Sequence, residues 1–436
     1  MMGFSVFSGR GGNVLCPLVC SLLSCLATAP AEAAVDSDAV AYQNNPAHDG
    51  SATFSNFSTT PTKLWSVNLG RSISYPLIAQ GEVYATVGDN TAANMSLKAV
   101  NVATGHVDWT VPLTSTYWSD TAAYENGRVF LYNSNFTSST MNAYSAANGS
   151  LVWSVPLPGQ YSFSSPPTAA KGIVYTGGAG SGGTVYAYRE TDGKLLWTAR
   201  VENGDNSSPA VTSTGVYVSY SGPQTYGFNP TTGSQTWHYD SGIEGGGGKT
   251  PVYYNGNLYV RDFGGLMAFS AANGTRVAAF NTPFSAVTAP AFSDGVGYIL
   301  AGTSNGSVLD AFDPSTGAVL WSKSLGGSGS FTSAPLVIND IVFAASSLGN
   351  VYEFDASGNP VGTFNVGSGI NGPDEQNVSQ PLTGLAAGDG LLAIPAGSTL
   401  NLYSVTPEPS AAALVGFATI IGLMRRGRQR RVAGRL

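Results

Sequence analysis

The chain has 436 residues, of which 55 are Gly and 24 are Pro, and only 10% are charged. This length suffices for one large or two ordinary domains with ample apolar material for a core. The net charge of −7 hides an asymmetry, because residues 35–406 hold 12 basic and 24 acidic residues while six arginines lie in the last dozen positions. Without a basic cluster in the body, nucleic acid is excluded as an expected partner.

The N-terminus has the layout of a secretory signal. Arg10 precedes an apolar stretch from Val14 to Leu26. Small residues then surround a predicted cleavage site, namely Ala31, Ala33 and Ala34. We therefore expect residues 1–34 to be a signal peptide. The alternative, a membrane anchor, has a short apolar run against it.

The leader also contains every cysteine of the chain. These are Cys16, Cys20 and Cys25. Leu22–Cys25 loosely fits a lipobox, but the leucine before Ser24 makes the fit poor. The exported protein would therefore have neither a disulfide nor a Cys-ligated metal site.

Beyond the leader and a lead-in at residues 35–62, the chain favours strands over helices. Aromatic and β-branched residues alternate between clusters of Gly, Asn, Ser and Pro, and no helical stripe runs between Asp36 and Thr406. One phrase recurs: AFDPSTGAVLW at 311–321 returns as AVNVATGHVDW at 99–109, AYSAANGSLVW at 143–153, AYRETDGKLLW at 187–197, GFNPTTGSQTW at 227–237, AFSAANGTRVA at 268–278 and a degenerate EFDASGNPVG at 353–362.

The repeat predicts propeller blades. Its turn glycines are 40 to 44 residues apart: Gly105, Gly149, Gly193, Gly233, Gly274, Gly317 and Gly358. Four short strands in such a period form one blade of a β-propeller. The glycine permits a positive φ in a hairpin turn, and the small residue that opens each phrase permits close packing.

The tryptophans that end the phrases supply apolar area between blades. They are Trp65, Trp109, Trp153, Trp197, Trp237 and Trp321, and Ala278 stands where the fifth copy would have one. Because the signature is spread evenly around the chain, we interpret it as scaffold rather than as a catalytic site.

Counting strands predicts a closed ring. Residues 71–366 yield seven blades, and residues 379–405 yield three further strands without the tryptophan strand. The missing strand is present at the other end, as KLWSVNL at 63–69. The prediction is an all-β fold with eight four-stranded blades over residues 63–405, closed by the N-terminal strand.

The repeats resemble the pyrroloquinoline-quinone (PQQ) propeller repeat, A-x-D-x-x-T-G-x-x-x-W, over roughly residues 42–405. YQNNPAHDG at Tyr42–Gly50 is similar to the segment that precedes such propellers. In quinoprotein dehydrogenases of this superfamily the resemblance implies a quinone held with Ca²⁺ in the axial funnel, beneath a ring of adjacent cysteines, with an Asp as base. This chain has no such cysteine pair and no matching ligand cluster, and it is shorter than those enzymes. We therefore expect no cofactor and no catalysis.

Other candidate sites are weak. His48, His106 and His238 lie far apart, without metal-ligand spacing. The acidic loops at 202–208 and 371–377 offer oxygen ligands for Ca²⁺, although solvated loops are the commoner interpretation. GIEGGGGKT at 242–250 lacks the strand-to-helix context of a phosphate loop.

Aromatic, hydroxyl-rich loops between blades are better suited to binding. The candidate ligand contacts are Tyr117, Trp118 and Tyr161, because aromatic faces stack on sugar rings and short polar groups bond hydroxyls. Ordinary blade-connecting structure is the alternative.

The C-terminus carries a second address at residues 406–436. Pro407, Glu408 and Pro409 lead into an apolar segment from Ala411 to Met424, followed by a cluster that begins with Arg425 and Arg426. This resembles the PEP-CTERM sorting signal of exopolysaccharide-producing Gram-negative bacteria. The resemblance implies a transmembrane helix and processing by an exosortase. A plain tail anchor is the alternative.

Together these features predict a monomeric, exported protein that passes the periplasm and ends at the cell surface or outside. It would act as a non-catalytic binding or scaffold propeller associated with exopolysaccharide or the biofilm matrix, touching the membrane only through its tail. One alternative is an assembly scaffold like the propeller lipoprotein of the outer-membrane barrel-assembly machinery. Another is a quinoprotein dehydrogenase or a polysaccharide-degrading enzyme.

Overall fold

Eight small sheets follow one another around a central axis. The computed structural model describes residues 37–89, 94–115, 121–135, 138–158, 166–177, 183–202, 207–220, 222–243, 248–262, 265–325, 329–373, 375 and 382–407. These residues form 34 strands and contain no helix, so none of them makes a helical segment able to span a bilayer. The predicted all-β, eight-bladed propeller is confirmed, whereas the predicted C-terminal helix lies outside the described residues.

The blades are numbered in chain order, and the strands of each blade are given from the innermost to the outermost. Two strands precede them, β1 (Ser51–Ala52) and β2 (Thr62–Asn68). Blade 1 has β3 (Ser72–Ile73), β4 (Leu77–Ala79), β5 (Glu82–Gly88), β6 (Ser96–Asn101) and β7 (Val107–Pro112). Blade 2 has β8 (Ala123–Glu125), β9 (Arg128–Asn135), β10 (Ser138–Ser145) and β11 (Leu151–Pro156). Blade 3 has β12 (Thr168–Ala170), β13 (Ile173–Thr176), β14 (Thr184–Arg189) and β15 (Leu195–Arg200). Blade 4 has β16 (Ala210–Val211), β17 (Val216–Tyr220), β18 (Gln224–Phe228) and β19 (Gln235–Asp240).

The second half of the ring continues the series. Blade 5 has β20 (Val252–Tyr254), β21 (Asn257–Asp262) and β22 (Gly265–Ser270). Blade 6 has β23 (Ser285–Ala286), β24 (Ala291–Ser293), β25 (Val296–Thr303), β26 (Gly306–Phe312) and β27 (Val319–Lys323). Blade 7 has β28 (Leu336–Ile338), β29 (Ile341–Ala345), β30 (Asn350–Phe354) and β31 (Pro360–Asn365). Blade 8 has β32 (Ala386–Gly388), β33 (Leu391–Ala396) and β34 (Thr399–Ser404).

Each repeat phrase contains the end of a blade's third strand and the turn after it, and in every copy except that of blade 5 the turn leads into a fourth strand. In blade 6 the amide of Gly317 donates to Asp313 O at 2.8 Å, and an Asp313 carboxylate oxygen accepts the Ser315 amide at 2.7 Å. Gly317 has a φ of 77°, which a side chain would strain. The six other turn glycines named above also have positive φ, between 70° and 80°.

The tryptophans join consecutive blades. Each indole N–H donates to a backbone carbonyl in the repeat turn of the next blade, at 2.7–2.9 Å. The ring also lies on the turn glycine; a Cβ on Gly149 would come within 2.7 Å of Trp109. The glycine is therefore needed twice, for its φ and for contact with the indole. The donor–acceptor pairs are Trp65 to Val102, Trp109 to Ala146, Trp153 to Glu190, Trp197 to Pro230, Trp237 to Ala271 and Trp321 to Ala356.

The absence of this tryptophan from blades 5 and 7 has a structural explanation in each case. In blade 5 the segment after Gly274 forms no fourth strand; Phe280 is buried instead, and the Asn281 amide donates to Thr316 O of blade 6 at 2.8 Å. In blade 7, Gly362 stands where the other outer strands have the tryptophan. The next blade, blade 8, takes its third strand, β34, from the C-terminal part of the chain and its fourth, β2, from the N-terminal part. Blade 8 therefore has no repeat turn for an indole to contact.

The ring is closed by the N-terminal strand, as predicted. Strand β2 pairs antiparallel with β34 of blade 8, with Thr62 opposite Ser404 and Asn68 opposite Thr399. The Ser66 hydroxyl donates to Asn401 Oδ1 at 2.6 Å, and Trp65 continues the contact into blade 1. The pairing gives β34 a partner on its outer side and makes β2 the outermost strand of blade 8.

Candidate functional site

Residues 37–54 of the N-terminal lead-in cross the central axis of the ring. In seven blades, one amide of the innermost strand donates to an oxygen of the lead-in at 2.7–2.9 Å. These pairs are Ile78 to Ala39 O, Tyr124 to Val40 O, Val211 to Pro46 O, Tyr253 to Ala47 O, Phe292 to Asp49 O, Val337 to Gly50 O and Ala387 to Asn44 Oδ1. The lead-in thus satisfies backbone groups that would otherwise face an open channel.

A buried ion pair holds the lead-in at one end of the axis. Glu375, from the long connection between blades 7 and 8, pairs with Arg261 of β21, and both residues are buried. Glu375 Oε1 also accepts the Tyr42 hydroxyl at 3.1 Å, and Oε2 accepts the Thr250 amide at 2.8 Å. Three separate parts of the chain therefore meet on one carboxylate.

The electrostatics keep this carboxylate ionised. Burial alone would raise the pKa of Glu375, but the charges of Arg261 and Lys249 outweigh it and hold the pKa below its usual range. Burial, together with the neighbouring carboxylate, raises the pKa of Tyr42 well above its usual value. Tyr42 is thus a neutral hydrogen-bond donor rather than an acid.

His48 is a structural residue at the centre of the ring. Its Nδ1 lies 2.6 Å from Tyr42 O, and its Nε2 lies 2.9 Å from Pro209 O and 3.2 Å from Thr168 Oγ1. Burial lowers the pKa of His48 although its contacts with the Tyr42 and Pro209 carbonyls act against this, and a neutral ring can donate to only one of these two oxygens.

The axial residues do not fit a quinone held with a metal ion. Tyr42, Asn44 and His48 are buried where the axis would otherwise be open. Among the described residues no group of three His, Cys, Asp or Glu side chains could hold a metal ion. The Glu375 carboxylate is already engaged by a cation, an amide and a hydroxyl. We derive no chemistry through that cofactor.

A cavity of about 670 Å³ opens beside the lead-in, on the face that carries the turns between the first and second strands of the blades. We call this face the turn face. The cavity lies between the lead-in and blades 1 to 4, and its charged lining consists of Asp38, Asp49 and Glu125 against one cation, Lys171. Its volume is within the range of small-ligand and peptide pockets.

Carboxyl groups on the turn face perturb one another. Burial and then neighbouring Asp389 raise the pKa of Asp38 to about 6. Burial and then a hydrogen bond with Glu190 raise the pKa of Glu125 to about 7. Burial and then Asp108 raise the pKa of Glu82 to about 7. The face therefore gains negative charge as the pH rises through 6 to 7.

Several predicted site residues fall outside the described part of the chain. They are the cleavage residues Ala31, Ala33 and Ala34, the sorting residues Glu408, Pro409, Arg425 and Arg426, and the aromatic contacts Tyr117, Trp118 and Tyr161. Pro407 is described and exposed. The expectation that these residues sort the protein or bind ligand stays a prediction.

Of the acidic loop at 371–377 the structure describes residues 371–373 and Glu375, and Glu375 is buried and paired with Arg261 rather than solvated. Sequence reasoning missed its partners: nothing in the spacing of Tyr42, Arg261 and Glu375 links them, and they meet only because the ring closes. The one available signal was the unusual segment from Tyr42 to Gly50, which supplies the axial plug. Of the other histidines, His106 is largely exposed, while His238 stacks on Tyr226 with ring centroids 4.0 Å apart.

Comparison with known proteins agrees with this architecture. The family model PQQ_2, described as outer membrane protein assembly factor BamB, matches residues 137–282, 226–362 and 264–397. The chain belongs to this family. BamB from Moraxella catarrhalis has a similar structure, with a TM-score of 0.59 at 16% identity over 80% of this chain and 99% of that one.

Two further proteins widen the comparison. Quinohemoprotein alcohol dehydrogenase from Comamonas testosteroni has a TM-score of 0.67 at 14% identity, over 87% of this chain and 83% of that one. Tetrathionate hydrolase from Acidithiobacillus ferrooxidans is 27% identical over 170 residues, which are 34% of this chain and 33% of the hydrolase. The matched part is thus about a third of that enzyme's length. At 16% and 14% identity, the structures of BamB and of the alcohol dehydrogenase show only that this chain has the same fold. That fold is found both in enzymes and in BamB.

Proposed function

We propose that the protein is an exported, non-catalytic propeller that serves as a protein-binding scaffold in the cell envelope. The observation that carries this proposal is the filled axis, where the lead-in and Glu375 occupy the place in which a propeller enzyme would need an open funnel. What remains for partners is the outer surface of the ring and the cavity beside the lead-in. Membership of a family described by an assembly factor supports the same function.

Export and surface placement belong to the proposal as well. The predicted leader at 1–34 supports passage into the periplasm, and the Pro-Glu-Pro tail supports later processing by an exosortase. The absence of cysteine beyond Cys25 suits a protein whose stability depends on ring closure rather than on disulfides.

The enzyme alternatives give the test. The full-length protein is titrated with pyrroloquinoline quinone and Ca²⁺ in a calorimeter, and separately assayed for tetrathionate hydrolysis. We expect neither saturable quinone binding nor turnover. Stoichiometric binding or turnover would overturn the non-catalytic proposal. A photo-reactive residue at exposed Ser213 should then yield discrete adducts in isolated envelopes, which excess unlabelled protein abolishes; a failure to cross-link competitively would overturn the scaffold proposal.

Matrix binding is the second candidate, favoured by the sorting-signal resemblance and by the aromatic loops. Its test is co-sedimentation with exopolysaccharide from the producing organism. Saturable binding that is lost when Tyr117 and Trp118 are changed to Ala would favour the matrix over a protein partner. Unchanged binding in that variant would remove the loops from consideration.

A further inference from the structure

The third blade differs from the other seven in how its innermost strand meets the lead-in. A two-residue turn at Lys171–Gly172 closes the hairpin of β12 and β13, so Ala170 and Ile173 form its hydrogen-bonded pair and Ala169 opposite Val174 a non-hydrogen-bonded one. The amide of Ala169 therefore points toward the axis, like the seven amides that donate to the lead-in. Among the described residues the lead-in supplies no backbone or side-chain acceptor to Ala169.

The cavity lies at this interruption. Ala169 and Ala170 are part of its wall, together with the lead-in residues Asn45 and Ala47. The lead-in passes from Val40 at blade 2 to Pro46 at blade 4, and the His48 side chain contacts blade 3 at Thr168. An inward-facing strand edge and a cavity therefore coincide at one blade.

Blade 7 shows what such an edge accepts. There β1 of the lead-in runs parallel to β28, with Ser51 opposite Val337 and Ala52 opposite Ile338. The Val337 amide donates to Gly50 O at 2.8 Å. The same kind of edge in the same ring is thus covered by an extended peptide, which is strand addition in its simplest form.

Charge selects the kind of peptide. Three carboxylates against one Lys171 favour a ligand with cationic side chains. Asp38, with a pKa of about 6, is mostly ionised at pH 7 and lies beside Asp389. Glu125, with a pKa of about 7, is about half ionised there, and its neighbour Glu190 is paired with Arg128. An anionic segment would meet repulsion on the same wall.

The lining disfavours a sugar. Its aromatic residue, Tyr124, is 5% exposed and stacks on Tyr84 at 5.8 Å between centroids. The Tyr124 hydroxyl already accepts the Gly127 amide at 3.1 Å. No aromatic face of the described lining is therefore presented for stacking on a sugar ring.

We infer that the cavity beside blade 3 binds an extended, basic peptide segment of a partner protein, which adds as a strand to Thr168–Ala170. The inference rests on the proposed scaffold function and names its partner by chemistry: a Lys- or Arg-bearing segment whose backbone oxygen accepts the Ala169 amide.

The test uses the full-length protein and a fluorescein-labelled, end-blocked hexapeptide of alternating Lys and Val, with a Glu/Val twin as control. Fluorescence anisotropy should show saturable binding of the Lys/Val peptide and at least tenfold weaker binding of the twin. Raising the salt concentration should weaken binding. Equal binding of both peptides, or saturable binding of a neutral oligosaccharide that displaces the peptide, would overturn the inference.

Variants locate the site. Ala169→Pro deletes the amide and should weaken binding by about three- to tenfold. Because proline at this edge could impair folding, Asp38→Asn provides a second variant, expected to weaken binding about threefold or more, with Asp294→Asn as its matched control elsewhere on the turn face. Lys171→Glu should tighten binding. If the folded Asp38→Asn and Lys171→Glu variants bind the Lys/Val peptide with the affinity of the wild type, the proposed site is wrong.

The experiment separates the two proposals. Competitive envelope cross-links without peptide binding would reject the blade-3 site and leave the scaffold function intact. Quinone binding or turnover would reject the scaffold function itself.

Discussion

Glu353 is the carboxylate whose removal should stabilise the fold most clearly. It stands in blade 7 where other blades have a small buried residue such as Ala311, and it is 1% exposed. Its Oε2 has no hydrogen-bond partner among the described residues. Burial raises the pKa of Glu353 from 4.5 to about 7. The folded protein therefore prefers the protonated acid, and ionisation at higher pH destabilises it.

The sign and size follow from linkage. A raised pKa makes the protonated group stabilising below the unfolded pKa, and this contribution is lost as the pH rises through about 7. Between pH 5 and 8.5 the shift corresponds to about 2.6 kcal/mol, since one pKa unit is about 1.36 kcal/mol. Relaxation around the ionised group and water penetration reduce this cost, and we take half of it, about 1.3 kcal/mol. Glu353→Gln keeps the shape and cannot ionise, so its unfolding free energy should exceed that of the wild type by this additional amount at pH 8.5.

The assay is urea unfolding of wild type and Glu353→Gln at pH 5 and pH 8.5, followed by tryptophan fluorescence. The difference between the variants is compared between the two pH values, because Asp38, Glu82 and Glu125 titrate in both proteins and cancel. In a melting curve the effect is about 2 °C, at about 2 cal/mol/K per residue. A stability difference independent of pH would refute the reasoning that burial of this charge is what costs stability.

Three other changes test the ring. Trp237→Ala should destabilise the protein by about 3–5 kcal/mol, because it removes a buried indole and leaves the Ala271 carbonyl without its donor. Thermal melting measures this loss. The control is Leu151→Ala at an exposed position, which should change the stability by less than about 0.5 kcal/mol. A disulfide between Ser66→Cys and Asn401→Cys should stabilise the oxidised protein by about 2–4 kcal/mol and lose this effect on reduction; no link by mass spectrometry would contradict the strand pairing. Arg261→Met should cost about 3–5 kcal/mol, since it strands the Glu375 carboxylate, and Glu375→Gln in the same chain should recover much of it; an additive double variant in a thermodynamic cycle would argue against direct pairing.

The blade architecture could be predicted because it repeats. Gly149 and its equivalents carry turn chemistry that is legible one residue at a time, and Trp65 showed that the N-terminal strand belongs to the last blade. The sequence shows that the repeat lacks its tryptophan at Ala278 and Gly362, but it does not show why. Phe280 replaces an indole through local chain geometry, and Gly362 reflects the missing turn of the neighbouring blade.

The axial site could not be predicted in the same way. The Tyr42 hydroxyl and Glu375 are 333 residues apart, and no periodic pattern relates them. Their contact depends on the angle at which each blade presents its inner strand, which is a property of the closed ring. The cavity beside Ala169 likewise depends on the path of the lead-in across the ring. No local sequence motif between Val40 and Pro46 predicts that path.

Closure by β2 has a consequence for how the protein is made. Ser66 and Asn401 are 335 residues apart, so a chain synthesised from its N-terminus must hold β2 without its partner strand until β34 of the eighth blade emerges. Until then the hydrogen-bonding edge of β2 stays open. A chain truncated before Thr399 never leaves this condition. We therefore expect intact molecules to resist proteolysis near Trp65 better than truncated ones, because only the complete chain supplies the strand that pairs with β2.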